Sequence, residues 1–209
     1  MGKVTKYQGK KEKYKMSTNY PQVVLASSSQ TRKNLLRKYF EYIIIKKHRV
    51  DENEIKKNKT PPEKLVMKLA KLKAISVKPD FSHAMIIGSD QILVCEEKLI
   101  NKPKNVKEAI ENLLYLRNKE HVLMSAIYVI KEGKFFFKKM KKAKLILRDL
   151  SKNQITSYVN QNRKTALSTV GSYKIEDNSK YGLIIVKSGD IETILGFPIK
   201  DFFNKLKNE

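Results

Sequence analysis

Apolar positions along the chain follow two rhythms, short strand-like runs and stripes at helical spacing. Gln22 to Ala26 predicts a first strand. Ser27-Ser28-Ser29 then leads into a helix from about Gln30 to Tyr39, with Ser29 as N-cap and Leu35, Leu36, Tyr39 and Phe40 on its inner face. Tyr42 to Ile45 reads as a short buried strand, followed by His48 to Glu54 and a lysine-rich loop. Thr60-Pro61-Pro62-Glu63 marks a strong helix start, with proline at the first helical position and Thr/Glu at capping-box spacing. That helix should run to about Val77 and stop before Pro79, burying Leu65, Leu69, Leu72 and Ser76. At about 100° per residue Lys73 falls on the border of this stripe, whereas Lys64 and Lys71 point further away.

The next stretch breaks the pattern. Two apolar runs, Ala84 to Ile87 and Ile92 to Cys95, are interrupted by Gly88, Ser89, Asp90 and Gln91. Strand interiors disfavour Asp and Gly, so something other than sheet stability must hold Asp90 there. A turn at Glu96-Glu97 returns the chain through Leu99-Ile100 to Asn101-Lys102-Pro103, and Asn105 with Glu108 caps a helix whose inner side is Val106, Ala109, Ile110, Leu113 and Leu116. Strands are predicted at His121 to Ile130 and Lys134 to Leu147 around a Glu132-Gly133 turn, then a helix from Lys152 to Asn160 capped by Ser151. A loop holding Thr169 to Glu176 precedes paired strands at Leu183 to Val186 and Ile191 to Leu195, and Pro198 opens a last short helix. Residues 1 to 19 are polar, basic and without periodicity, and are expected to be a disordered extension of a domain spanning 20 to 209.

Composition adds three points. At 209 residues with 41% hydrophobic side chains, the chain can bury one good-sized core. No apolar run approaches the roughly 18 to 20 residues that cross a bilayer, and the lysine-rich start has no secretory h-region, so no membrane association is expected. Cys95 is the lone cysteine, which fits a reducing, cytoplasmic setting. The net charge of +23 raises nucleic acid as a partner. The positive residues are nearly all lysines spread along every segment, however, while base readout and bidentate phosphate contacts favour arginine. A solvated basic surface is the simpler account.

Candidate chemistry is dispersed. The three-serine turn with Arg32 in the first helical turn would suit an anion, although plain helix capping with a surface arginine is the simpler reading of that segment alone. Asp51-Glu52 could ligate a hard cation or be surface charge. Lys73 could reach a cleft or merely snorkel. No Walker-type Gly-x-x-x-x-Gly-Lys, no zinc-spaced His/Cys cluster and no nucleophile elbow near His48, His83 or His121 is present.

Taken in order, Leu25-Ala26-Ser27-x-Ser29-x-x-Arg32, Asp51-Glu52, Leu69-Ala70-x-x-Lys73-Ala74, Gly88-Ser89-Asp90-Gln91, Asn101-Lys102-Pro103 and Gly171-Ser172-Tyr173-x-x-Glu176 resemble the Maf family of nucleoside triphosphate pyrophosphatases, over residues 22 to 207. The resemblance implies an α/β fold of the Maf/ITP-pyrophosphatase type, a long mixed twisted sheet with helices forming two lobes around a central cleft. It also implies hydrolysis between the α- and β-phosphates of a nucleotide with a divalent cation, Mg²⁺ or Mn²⁺, a house-cleaning role linked to cell division, and a homodimer. By matching positions, Asp90 is the implied proton acceptor. Ser27, Arg32, Lys73 and Lys102 are the implied triphosphate ligands, and Glu52 with Asp90 the implied metal ligands. Thr31, Gln91 and Glu176 occupy the positions that tune base choice, and the Gln/Glu pair resembles the branch preferring 7-methyl-GTP over dTTP, UTP or CTP. Thr31 departs from the bulky aromatic of that branch, Gln30 from the usual proline, Glu96-Glu97 from Asp-Gly and Ser125-Ala126 from Thr-Gly. The competing expectation is a basic nucleic-acid-binding or division-regulating protein on the same scaffold, without significant hydrolysis.

Overall fold

One sheet of seven strands organises the protein, in the order β2-β1-β3-β5-β6-β7, with β4 pairing β3. The computed structural model describes residues 22–208, so the expected extension at 1–19 lies outside the described residues. The strands are β1 (Val23–Leu25), β2 (Ile44–Ile45), β3 (Met85–Cys95), β4 (Lys98–Ile100), β5 (Glu120–Lys131), β6 (Lys134–Leu147) and β7 (Ile184–Ser188). The first three pair in parallel and the others antiparallel, which makes the sheet mixed as expected. Helices are α1 (Gln30–Leu36), α2 (Glu52–Lys57), α3 (Pro62–Val77), α4 (Val106–Leu116), α5 (Lys152–Gln161), α6 (Arg163–Ser168), α7 (Asn178–Tyr181), α8 (Ile191–Ile194) and α9 (Lys200–Lys207).

The apolar interior gathers into groups that flank a cleft. Leu93, Leu113, Leu145, Ile155 and Tyr158 belong to a core joining α4, α5 and the far ends of the strands. Leu36, Ile87, Phe197 and Phe202 join α1 and α9 to the start of β3. On the other sheet face, α3 covers Ile92 and Ala126 with Leu65, Val66, Leu69 and Ala70. Among the described residues no helix is long and apolar enough to cross a membrane.

Several expectations change. The two apolar runs around Gly88–Gln91 are one continuous strand, paired with β5 from Met85↔Lys131 to Val94↔Val122. The strand continues because each of its polar side chains at 89–91 has a specific partner, described below. The α3 stripe is rotated from the expected one. Its buried residues are Leu65, Val66, Leu69, Ala70, Lys73, Ala74 and Val77, which leaves Leu72 and Ser76 only half-buried and puts Lys73 in the middle of the face. The reason is Gly88. A Cβ there would lie 2.2 Å from the Ala70 carbonyl oxygen and 2.7 Å from the Ala74 nitrogen, so helix and strand touch through their backbones, and the helix turns its small side chains to that contact. Pro61 takes the N-cap position of α3 with no side-chain capping bond, so the Thr60/Glu63 capping box does not form.

Tyr42 is 80% exposed, because the strand there is only Ile44–Ile45. The expected lysine-rich loop after it contains α2, nucleated by the Asp51 carboxylate accepting from Asn53 and Glu54 N–H groups. Ile191–Ile194 is a helix and not a strand. Asp190 caps it through the Thr193 N–H at 2.7 Å, and Gly189 and Gly196, both at positive φ, turn the chain on either side. Helix α6 lies in a stretch for which no element was expected.

Candidate active site

The site forms where α3 crosses β3. Along β3, Ile86, Gly88, Asp90 and Ile92 face α3, and Ser89 and Gln91 face the other way, towards α8. The backbone contact at Gly88 brings Lys73 against Asp90, with Nζ 2.5 Å from Asp90 Oδ1. The same Nζ lies 2.6 Å from Glu52 Oε1. One buried ammonium therefore bridges two carboxylates. Lys56 closes on Glu52 Oε2 at 3.3 Å and His48 Nε2 lies 3.5 Å from Oε1, while His48 Nδ1 accepts the Val50 N–H. Together His48, first, and the two lysines hold the Glu52 carboxyl well below the usual carboxylate range, against the opposing effect of burial.

Asp90 is buried and its Oδ2 has no hydrogen-bond partner. An orphaned carboxylate oxygen in a buried site is costly unless something with positive character or a proton completes it. Lysines occupy both Glu52 oxygens and Asp90 Oδ1, which leaves Asp90 Oδ2 as the open carboxylate oxygen of the pair. Among the described residues no group of three or more His, Cys, Asp or Glu side chains converges as a cage. A magnesium-like ion here would take its other ligands from phosphate oxygens and water, as such ions do.

The other side of β3 is stitched to the segment after α8. Arg32, buried, donates through Nε to the Gly196 carbonyl (3.0 Å) and through Nη1 to the Ser89 carbonyl (2.8 Å) and Ser27 Oγ (3.4 Å). Ser89 Oγ also donates to Gly196 O at 3.1 Å. Burial lowers the pKa of the guanidinium, opposed by Asp90 and Glu52. The Gln91 amide donates through Nε2 to Ser125 Oγ (3.1 Å), Thr193 O (3.1 Å) and Ile194 O (2.9 Å).

These walls enclose a cleft of about 650 Å³. Ser27, Thr31, Arg32, Glu52, Lys73, Asp90, Gln91, Lys102 and Glu176 all line it, so the dispersed sequence candidates converge on one cavity. Lys102 reaches in from the loop after β4, and its ammonium pKa is lowered first by desolvation and then by Arg32. Sequence reasoning did not single out His48, Lys56, Lys164 or Lys174 as cleft residues, nor Gly196, whose carbonyl is the shared acceptor beneath it. Isolated lysines in so lysine-rich a chain carry no signal of their own. Gly196 could have been suspected from its place between an apolar run and Pro198.

Many of the lysines on β6 are ion-paired. Lys139 and Lys141 meet Asp201, Lys142 meets Glu63 and Lys144 meets Glu120. Charge along this strand is thus largely balanced by neighbouring carboxylates.

Comparison with known proteins gives a consistent picture. The family described as Maf-like protein matches residues 22–209. A nucleoside triphosphate pyrophosphatase of a Ruegeria species is 32% identical over 195 residues, 91% of this chain and 96% of that protein. A 7-methyl-GTP pyrophosphatase of Rhizobium etli is 30% identical over 191 residues, 90% of this chain and 96% of that protein. Among solved structures, a nucleoside-triphosphatase / dITP/XTP pyrophosphatase from Mycobacterium abscessus aligns at a TM-score of 0.44 and 8% identity, covering 89% of this chain and 93% of its own.

Proposed function

The chain belongs to the Maf family, and from that membership we propose that it is a nucleoside triphosphate pyrophosphatase, releasing nucleoside monophosphate and pyrophosphate. The observation that carries the reading is the buried Lys73 bridging Glu52 and Asp90 beside an uncompensated Asp90 Oδ2 inside the cleft. In this reading Oδ2 takes the proton of the attacking water as its oxygen bonds to phosphorus and the α–β bridging bond breaks. Lys73 holds the carboxylate by its other oxygen, so Oδ2 keeps a fixed direction. Lys102, with Lys73, supplies positive charge for the oxygens of the leaving pyrophosphate. Ser27 and Arg32 shape the phosphate end, with Arg32 also tied to the strand that carries Asp90. Glu52 and Asp90 would hold a divalent cation, which when bound neutralises phosphate charge. The proposed catalytic unit is 20–209.

Base selection is assigned to Thr31, Gln91 and Glu176. The Gln91 amide nitrogen is occupied by the carbonyls of α8, so the amide end left for a ligand is its oxygen, an acceptor like the Glu176 carboxylate. Two acceptors suit the N–H-bearing edge of a guanine, and this favours GTP or 7-methyl-GTP over pyrimidine triphosphates. The test is a panel of standard and modified nucleoside triphosphates with Mg²⁺ or Mn²⁺, measuring pyrophosphate separately from orthophosphate. Pyrophosphate with a guanine preference is expected, and release of orthophosphate alone would remove the reaction proposed.

A further inference from the structure

Tyr158 stands behind the cleft wall on α5, its ring buried at 2% exposure. Its hydroxyl donates to Asp177 Oδ2 at 2.7 Å. The same short segment closes on itself through the Asp177 N–H to the Lys174 carbonyl at 3.2 Å. The phenol therefore anchors one end of a self-closed turn whose Lys174, Ile175 and Glu176 line the cleft. The ring is itself fixed, edge-on to Tyr181 at 5.1 Å, and the Tyr181 hydroxyl reaches Gln161 Oε1 at 3.2 Å. Burial and the Asp177 carboxylate raise the pKa of the Tyr158 phenol, which keeps it a donor.

Glu176 depends on this grip. Its side chain is exposed, and among the described residues no hydrogen bond or ion pair holds it. Its position is therefore set by the backbone of the turn alone, and a loose turn would have to be ordered at the moment of binding.

We propose that Tyr158 is a positioning residue for nucleotide selection, acting through Asp177 to fix the turn that presents Glu176 to the base. The inference rests on the assignment of Glu176 to the base end of the cleft made above. Tyr158→Phe removes one oxygen and keeps the ring. It should speed amide hydrogen exchange at Asp177, whose N–H closes the turn, in the ligand-free protein. It should also lower the ratio of kcat/KM for the best nucleotide over the worst by ~3- to 10-fold, the size of one lost hydrogen bond, with kcat on the best nucleotide nearly unchanged. Asp177→Asn, which keeps an acceptor oxygen, should retain most of the ratio. In a Glu176→Ala background Tyr158→Phe should change the ratio no further.

Unchanged exchange in Tyr158→Phe, an equal loss for every nucleotide, or a full additional loss in the Glu176→Ala background would each overturn the proposal. A wild-type chain that releases no pyrophosphate from any nucleotide would instead overturn the functional reading and the selection role with it. The exchange comparison still decides whether Tyr158 holds the turn.

Discussion

The two walls of the cleft are built in opposite ways. On one, a sixteen-residue helix lies against the central strand with backbone touching backbone, and a buried ammonium is locked between two carboxylates. On the other, short helices and turns present Lys164, Lys174 and Glu176 at or near the surface, with few bonds to their side chains. Transfer of a phosphoryl group needs charges fixed before the substrate arrives, because reorganisation during the reaction adds to the barrier. Discrimination between bases needs only a difference in contacts, and a light scaffold with one anchor can supply it. The contrast teaches that close packing in this protein is concentrated at the proposed proton acceptor, Asp90.

The contrast can be broken or sharpened by substitution. The largest effect is expected from Asp90→Asn, which keeps size but removes the proton acceptor and should lower kcat by ~10²- to 10⁴-fold. Near-normal turnover in a steady-state pyrophosphate assay would take Asp90 out of the chemistry. Lys73→Met comes next, because it leaves two carboxylates facing each other with one buried. A stability loss of about 3–5 kcal/mol is expected in urea unfolding, well beyond that of any substitution on the turn-built wall. Gly88→Ala should cost about 1–3 kcal/mol or more, since its Cβ would overlap the Ala70 carbonyl and must push α3 away. A crystal structure of that variant should show the Lys73–Asp90 contact lengthened.

An effect of similar size, spread over a pH range, is expected from protonation. His121, buried under the cleft residue Tyr173 with Nε2 2.6 Å from its hydroxyl, has its pKa lowered by burial to about 4. The unfolded chain therefore binds this proton first as pH falls. Its contribution is intact above about 6.5 and is lost, by ~1.4 kcal/mol per pH unit at most, between about 6.5 and 4. His121→Gln should flatten that part of the stability–pH curve. The smallest effect on stability, within about 0.5 kcal/mol, is expected from Glu176→Gln, which should act on the nucleotide ratio alone. A large loss of thermal stability there would erase the distinction between the walls.

Much of this architecture was legible from local patterns. Ser29, Asn105 and Ser151 cap the helices they were expected to cap, and Ser151 forms a full capping box with Gln154. The β5–β6 hairpin turns at Glu132-Gly133 as expected. The site candidates were legible only as an ordered set, because each motif contributes one or two side chains from a different element. What could not be read depends on contacts distant in sequence. Lys73 was placed at the edge of its stripe because Ala70 and Ala74 are weak apolar signals, yet their smallness is what lets α3 meet Gly88. Ile191–Ile194 has strand-like, β-branched residues, and its cap at Asp190 and the Gln91 and Ser125 bonds to Thr193 O and Ile194 O override that propensity.

The bond from Arg32 to the Gly196 carbonyl links positions 164 residues apart. During synthesis the strand that bears Asp90 leaves the ribosome long before the carbonyl that completes its floor. Until then Arg32 Nε and Ser89 Oγ lack the acceptor that makes their burial tolerable. A chain cut short before Gly196 would carry every proposed catalytic side chain and still have no closed site. Activity is therefore expected to be lost on truncation before Gly196, although every proposed catalytic side chain has by then been made.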